Sequence, residues 1–225
     1  MSELWRNLLP LVLASAVVPS PLVVTILLLR SSTRAAAAWV AGMTVVRLAQ
    51  GALFALIYSD GSTAATETPA GRSAIVSGVL LILSIMLFVT AAQKLLGEAD
   101  PDAPPPKWMA RIATMGPGRA FLVGAGLLLV NAKFWVFTLG AISSIEEAGI
   151  GRRASVATFV AFAVLVVAPQ LLALGLALVA PSRASSLLDV VADWLQRNNR
   201  AIVVVVSLVF GTWFLIKALT GLRVI

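Results

Sequence analysis

Lys133 and Arg47 carry most of the chemical information in this sequence, because each stands in the middle of a long apolar run. Lys133 is about thirteen residues into its run, near the bilayer centre, where a lysine costs roughly 2.5–3.5 kcal/mol on insertion scales. Arg47 lies at similar depth in another run, and no Asp or Glu occurs inside any apolar run of the chain. Two kinds of partner remain: backbone carbonyls released by an interrupted helix, or an anionic group on a bound substrate. Snorkelling of the long side chains is the plainer alternative. Lysine, unlike arginine, can also exchange a proton in a water-poor cavity. Pro19 and Pro21 flank Ser20 in the first run and lack backbone donors, so they unwind or kink that helix and free carbonyls there. Asn131, two residues from Lys133, supplies a donor and an acceptor to the same region. Gln170 follows Pro169 in another run, where an amide can satisfy freed backbone groups or a ligand. The candidate substrate-binding set is therefore Lys133, Asn131, Arg47, Pro19, Ser20, Pro21 and Gln170.

The chain has no Cys and no His, which removes disulfides, thiolate or imidazole metal sites and an imidazole base. With no carboxylate at mid-depth either, the reading is a protein without catalytic residues, metal or cofactor, and not an enzyme. The net charge is +7, yet its 17 Lys and Arg are scattered over many connections without an aromatic-interleaved face. Membrane orientation explains them better than nucleic acid, so no nucleic-acid partner is expected.

These residues must be held by membrane-embedded helices. Of 225 residues, 60% are apolar and 12% charged, and the mean hydropathy is +0.98, so the fold class is all-α integral membrane. Runs of about 20 apolar residues cross a bilayer, and six candidates occur: Leu4 to Leu29, Ala35 to Tyr58, Ala74 to Leu96, Ala120 to Ile145, Ser155 to Ala180 and Ala201 to Leu219. Ala14-Ser15-Ala16 imitates a signal-peptidase site, but the apolar run continues past it, so no cleavage is expected. Ser186 to Asn198 reads as a short interfacial amphipathic helix before the last run. Leu187, Val190, Val191, Trp194 and Leu195 recur at helical spacing, and Ser186 with Asp189 resembles a capping box. Lys107 to Met115 has a smaller pattern of the same kind.

The third and sixth runs end alike, in Lys94-Leu95-Leu96-Gly97 and Lys217-Ala218-Leu219-Thr220-Gly221. This points to two inverted three-helix repeats in a single membrane domain, 1–225, with repeat 1 at 1–97, a linker at 98–117 and repeat 2 at 118–225. Under that pairing Pro19-Ser20-Pro21 corresponds to Asn131-Ala132-Lys133, and Arg47 to Gln170, at matching depths. Inverted repeats with interrupted helices are a transporter architecture. One side of the membrane receives Arg30, Arg34, Lys94, Lys107, Arg111, Arg119, Arg183, Arg197 and Arg200; the other receives Arg6, Arg72, Arg152, Arg153, Lys217 and Arg223. The positive-inside rule then places both termini outside. Glu146 and Glu147 mark a helix end in water.

The stretch Lys107-Trp108-Met109 through Gly116-Pro117-Gly118-Arg119-Ala120, followed by Asn131-Ala132-Lys133-Phe134, resembles the centre of the peptidoglycolipid-addressing or sulfolipid-addressing protein family of the lysine exporter superfamily. Pro19-Ser20-Pro21, Pro169, Asp193-Trp194-Leu195 with Asn198 and Asn199, and Gly211 extend the resemblance over nearly the whole chain. The family usually has Asn-Pro-Lys where this chain has Asn131-Ala132-Lys133, so a less sharply broken helix is expected here. The resemblance implies a six-helix protein of the bacterial inner membrane that helps move glycolipids toward the cell surface.

The leading expectation is thus a transporter or flippase-like protein for an anionic (glyco)lipid. Its partners are the membrane lipid or glycolipid substrate, with a homo-oligomer or lipid-synthesis and export proteins also open. Export of small polar solutes such as amino acids, and a non-transporting accessory role in a lipid-export complex, are the alternatives. A groove opening sideways to lipid favours the first reading, and an occluded small cavity favours solute export.

Overall fold

A computed structural model describes residues 2–16, 18–59, 69–97, 111–112 and 114–222, and these form helices with no strand among them. We number the helices α1 (Ser2–Ala16), α2 (Pro19–Ser31), α3 (Thr33–Ser59), α4 (Pro69–Leu96), α5 (Pro117–Val130), α6 (Ala132–Glu147), α7 (Arg152–Val166), α8 (Ala168–Val179), α9 (Pro181–Arg197) and α10 (Asn199–Gly221). Proline stands at the first or second position of five of these ten helices. Pro69, Pro117 and Pro181 are first residues, Pro169 is second in α8, and Pro19 and Pro21 lie in the first turn of α2. A first-turn residue has no intrahelical acceptor for its N–H, so proline costs nothing there while its fixed φ starts the helix.

Among the described residues, two helices are long and apolar enough to cross a membrane, α3 over Thr33–Ala55 and α10. There are up to four such spans if each bent pair counts as one. The pairs are α1 with α2, meeting at 51°, and α7 with α8, meeting at 57°. Shorter apolar helices cover Leu80–Leu96 in α4 and all of α5. Leu122, Leu172 and Leu178 are among the large apolar side chains left exposed on the outer surface, as lipid-facing positions are.

Side-chain contacts fix which helix ends meet. An Arg200 guanidinium N–H donates to the Leu95 carbonyl at 2.8 Å, joining the end of α4 to the start of α10. Lys217 Nζ donates to Asn7 Oδ1 at 2.9 Å, joining the end of α10 to the start of α1. Along the α4–α10 contact the Ser84 hydroxyl donates to the Gly211 carbonyl at 2.9 Å. Helices α3 and α5 approach more closely still: a Cβ on Gly42 would strike the Phe121 carbonyl oxygen, and one on Gly124 the Trp39 carbonyl oxygen. Only glycine permits this backbone-on-backbone crossing.

Helix α9 is amphipathic but starts earlier than the sequence suggested. It begins at Pro181 after Ala180, which offers no side-chain cap, so Ser186 is an interior residue and not the start of a capping box. The proline at the first helical position supplies the start signal. Ala184, Leu188 and Ala192 pack with Ile26 of α2 and Ala173 of α8, while Leu187, Val190, Val191 and Trp194 face outward. Of the expected apolar stripe, only Leu195 is buried. Arg30 holds Asp189 through Nε at 2.9 Å and Nη2 at 2.6 Å, tying α9 to the end of α2. Most of the Lys107 to Met115 segment lies outside the described residues; Ile112 within it is buried against the α2–α3–α5 core.

Candidate functional site

Three helix interruptions converge on one small cavity. Between α1 and α2, Val18 is extended (φ −57°, ψ 116°). Between α5 and α6, Asn131 is extended (φ −89°, ψ 106°), and between α7 and α8 Val167 leaves helical geometry (φ −93°, ψ 3°). The cavity they enclose holds about 10 Å³ and is lined by Ser15, Pro21, Met43, Arg47, Leu128, Phe134, Val166, Val167 and Gln170. That is room for about one water molecule.

Arg47 is the charged group at this junction. Only 3% of it is exposed, and it enters no ion pair among the described residues. Its Nη1 donates to Ser15 Oγ at 3.3 Å, and the guanidinium carbon stands 5.8 Å from the centre of the Phe162 ring, a geometry that contributes a modest cation–π attraction. Arg47 Nε finds no acceptor, and Gln170 Oε1, on the same cavity, finds no donor. One turn along α3, both amide atoms of buried Gln50 also lack partners among the described residues. Buried polar groups in a native fold are nearly always satisfied, so this concentration of open donors and acceptors around a cation marks the candidate site.

The sequence-derived set is only partly gathered there. Arg47, Pro21 and Gln170 line the cavity. Pro19 is buried at the start of α2, whereas Ser20 is exposed and turned away. Asn131 is half-buried at the break itself, its N–H donating to the Leu127 carbonyl at 3.1 Å and its carbonyl accepting from Phe134 N–H at 3.0 Å. Lys133 is the second residue of α6, and its side chain lies outside the described residues. The break at Asn131 persists without a proline at 132. An extended ψ at Asn131 restarts the helix by itself, and the Trp135 indole N–H, donating to the Leu129 carbonyl at 2.9 Å, satisfies an acceptor near the end of α5.

Over residues 8–220 the chain matches the family described as Sap, sulfolipid-1-addressing protein. It belongs to that family. Searches of curated proteins and of solved structures returned no match. In this family member, Ser15 of the cavity wall and the buried Gln50 one turn from Arg47 are residues that reading the sequence missed. Ser15 was masked by its resemblance to a cleavage site, and Gln50 sits three residues from Arg47, the spacing that puts both on one helix face.

A second, larger cavity of about 280 Å³ lies at the end of the molecule that holds Asn7, lined by Ser77, Ser143, Ser144, Glu147, Trp213, Lys217 and Thr220 over a floor of Leu11, Leu80 and Phe214. Loss of water on the cavity side raises the Glu147 carboxyl above its ordinary range, with nearby Lys217 pulling the other way. Glu147, the exposed last residue of α6 as expected of a helix end in water, thus also forms part of a cavity wall.

Proposed function

We propose that this sulfolipid-addressing family member transports an anionic (glyco)lipid across or out of the bacterial inner membrane, accepting its headgroup at Arg47. The observation that carries the proposal is a guanidinium buried to 3% exposure, without a carboxylate partner, where three interrupted helices meet. Sulfate, phosphate and carboxylate all match the planar donor fork of arginine. Lys133 and Asn131, at the neighbouring break, complete the anion-binding group in this reading. Pro19 and Pro21 keep the first break open.

The transporter reading includes six crossings arranged as two inverted repeats. Several observations support it. The first run breaks between Ala16 and Pro19 and the fourth at Asn131, and in each the residue before the restarting helix, Val18 or Asn131, is extended. Pairs α1/α2 and α5/α6 pack against α7/α8 and α3 respectively, and α4 packs against α10, as a two-fold relation between the halves requires. The Arg200–Leu95 and Lys217–Asn7 contacts join the helix ends that alternate crossings bring together. The positive-inside count places the Arg30 and Arg200 end in the cytoplasm and both termini outside.

A deletion strain complemented with Arg47→Ala, Lys133→Ala or the wild-type chain tests this by analysis of surface-extractable anionic lipids. Loss of the lipid with normal protein level is expected for Arg47→Ala; full restoration by both variants overturns the assignment. One observation favours a second reading, export of a small polar solute: the cavity at Arg47 is small and holds about one water. Proteoliposomes separate the two, since the lipid reading requires movement of a fluorescent anionic lipid between leaflets, and the solute reading requires efflux of entrapped amino acids without it.

A further inference from the structure

The larger cavity is chemically unlike the Arg47 site. It joins a cation and a carboxylate from different helices, Lys217 of α10 and Glu147 of α6, which make no direct ion pair among the described residues. Hydroxyls of Ser77, Ser143, Ser144 and Thr220 line the space around them. Lys217 is held in place, its Nζ bonded to Asn7 Oδ1 at 2.9 Å and lying 5.1 Å from the centre of the Trp213 ring. An ammonium has three donors, so two stay available after the Asn7 bond.

Volume and depth narrow the ligand. At about 280 Å³ the cavity falls at the low end of ligand sites, which run from roughly 300 to 1,000 Å³. That is space for a headgroup, and too little for an acylated sugar. It lies where α1 starts and where α6 and α10 end, near headgroup depth in the six-crossing reading, with an apolar floor suited to the glycerol end of a lipid. An anionic group alone would meet Glu147, and a cation alone would meet Lys217. A guest bearing both charges satisfies both walls.

We infer that this cavity binds a zwitterionic ligand carrying a primary ammonium and a phosphate, such as the headgroup of phosphatidylethanolamine, with the ammonium on Glu147 and the phosphate on Lys217. The primary ammonium matters because it donates hydrogen bonds to the carboxylate and the serine hydroxyls, which the methylated ammonium of phosphatidylcholine cannot do.

The full chain in nanodiscs of phosphatidylcholine and phosphatidylglycerol, with or without phosphatidylethanolamine, is compared by native mass spectrometry and Trp fluorescence melting. A further arm adds soluble phosphoethanolamine. Retained phosphatidylethanolamine and a raised melting temperature are expected, with retention falling at least about tenfold in Glu147→Gln and Lys217→Met, the loss of one charge-assisted hydrogen bond. Glu147→Asp and Lys217→Arg should recover part of it, which guards against a variant that merely misfolds. A response to the lipid alone assigns the source to the bilayer, and one to the soluble compound alone assigns a solute; both uphold the zwitterion. Equal behaviour in every arm, or retention unchanged in both charge-removing variants, overturns the proposal. Because Arg47 is untouched, failure here leaves the headgroup acceptor at Arg47 standing.

Discussion

Replacing Arg47 by methionine separates a structural from a functional arginine. A mid-membrane arginine costs about 2.5–3.5 kcal/mol, and leaving its Nε unpaired adds roughly 1–3 kcal/mol. Against this stand the bond to Ser15 Oγ, about 1.5 kcal/mol at its length of 3.3 Å, and the Phe162 contact, about 1–2 kcal/mol. The resting state therefore carries this residue at a net cost of about 0–4 kcal/mol, which an anionic guest would offset. Methionine fills a similar volume without charge, and exchange of a buried charge for an apolar group is often neutral or stabilising. Arg47→Met is thus expected to unfold at the same or higher temperature in detergent while failing to restore surface lipid. A loss of about 3–5 kcal/mol in stability, the range for breaking a satisfied buried ion, together with restored lipid, would refute the reasoning and make Arg47 a packing residue.

Further outcomes follow from the same geometry. Ala132→Pro should be neutral or stabilise by up to about 1 kcal/mol in a thermal melt, because position 132 is the first residue of α6 and Asn131 already holds the extended ψ that precedes a proline. Gly42→Ala and Gly124→Ala should each cost about 1–3 kcal/mol, since the new methyl meets a carbonyl oxygen of the facing helix; unchanged melting would deny the close crossing. Arg30→Ala should change stability by no more than about 1 kcal/mol, because its pair with Asp189 is half-exposed; a cysteine cross-link between α2 and α9 should still form. Ser84→Ala should cost about 0.6 kcal/mol, the mean for a hydrogen bond between membrane helices.

The break in the first helix was legible because Pro19 and Pro21 remove two donors within three residues. Pro169 told of a bend, which the structure makes a sharp one of 57°. The matching of Arg47 with Gln170 by depth also carried information, since both end on one cavity wall. Asn131 was visible as an amide two residues from Lys133, but its break was suggested only by resemblance to a family motif; no proline marks it, and an extended residue leaves no composition signal. The start of α9 was misplaced because Ser186 and Asp189 imitate a cap, whereas Pro181, five residues earlier, sets the boundary. The Lys217–Glu147 cavity was hidden by distance in sequence: four helices contribute to it, and its polar residues sit near the ends of apolar runs, where charge normally means water. A lysine still inside the last run was the one available hint.

The glycine crossing of α3 and α5 has a mechanical meaning. Helices that slide past each other do so over a cushion of rotatable side chains, and here the cushion is missing: main chain rests on main chain at Gly42 and Gly124. The two helices are keyed together, so α5 cannot swing about Asn131 without shifting α3, the helix that carries the Arg47 guanidinium.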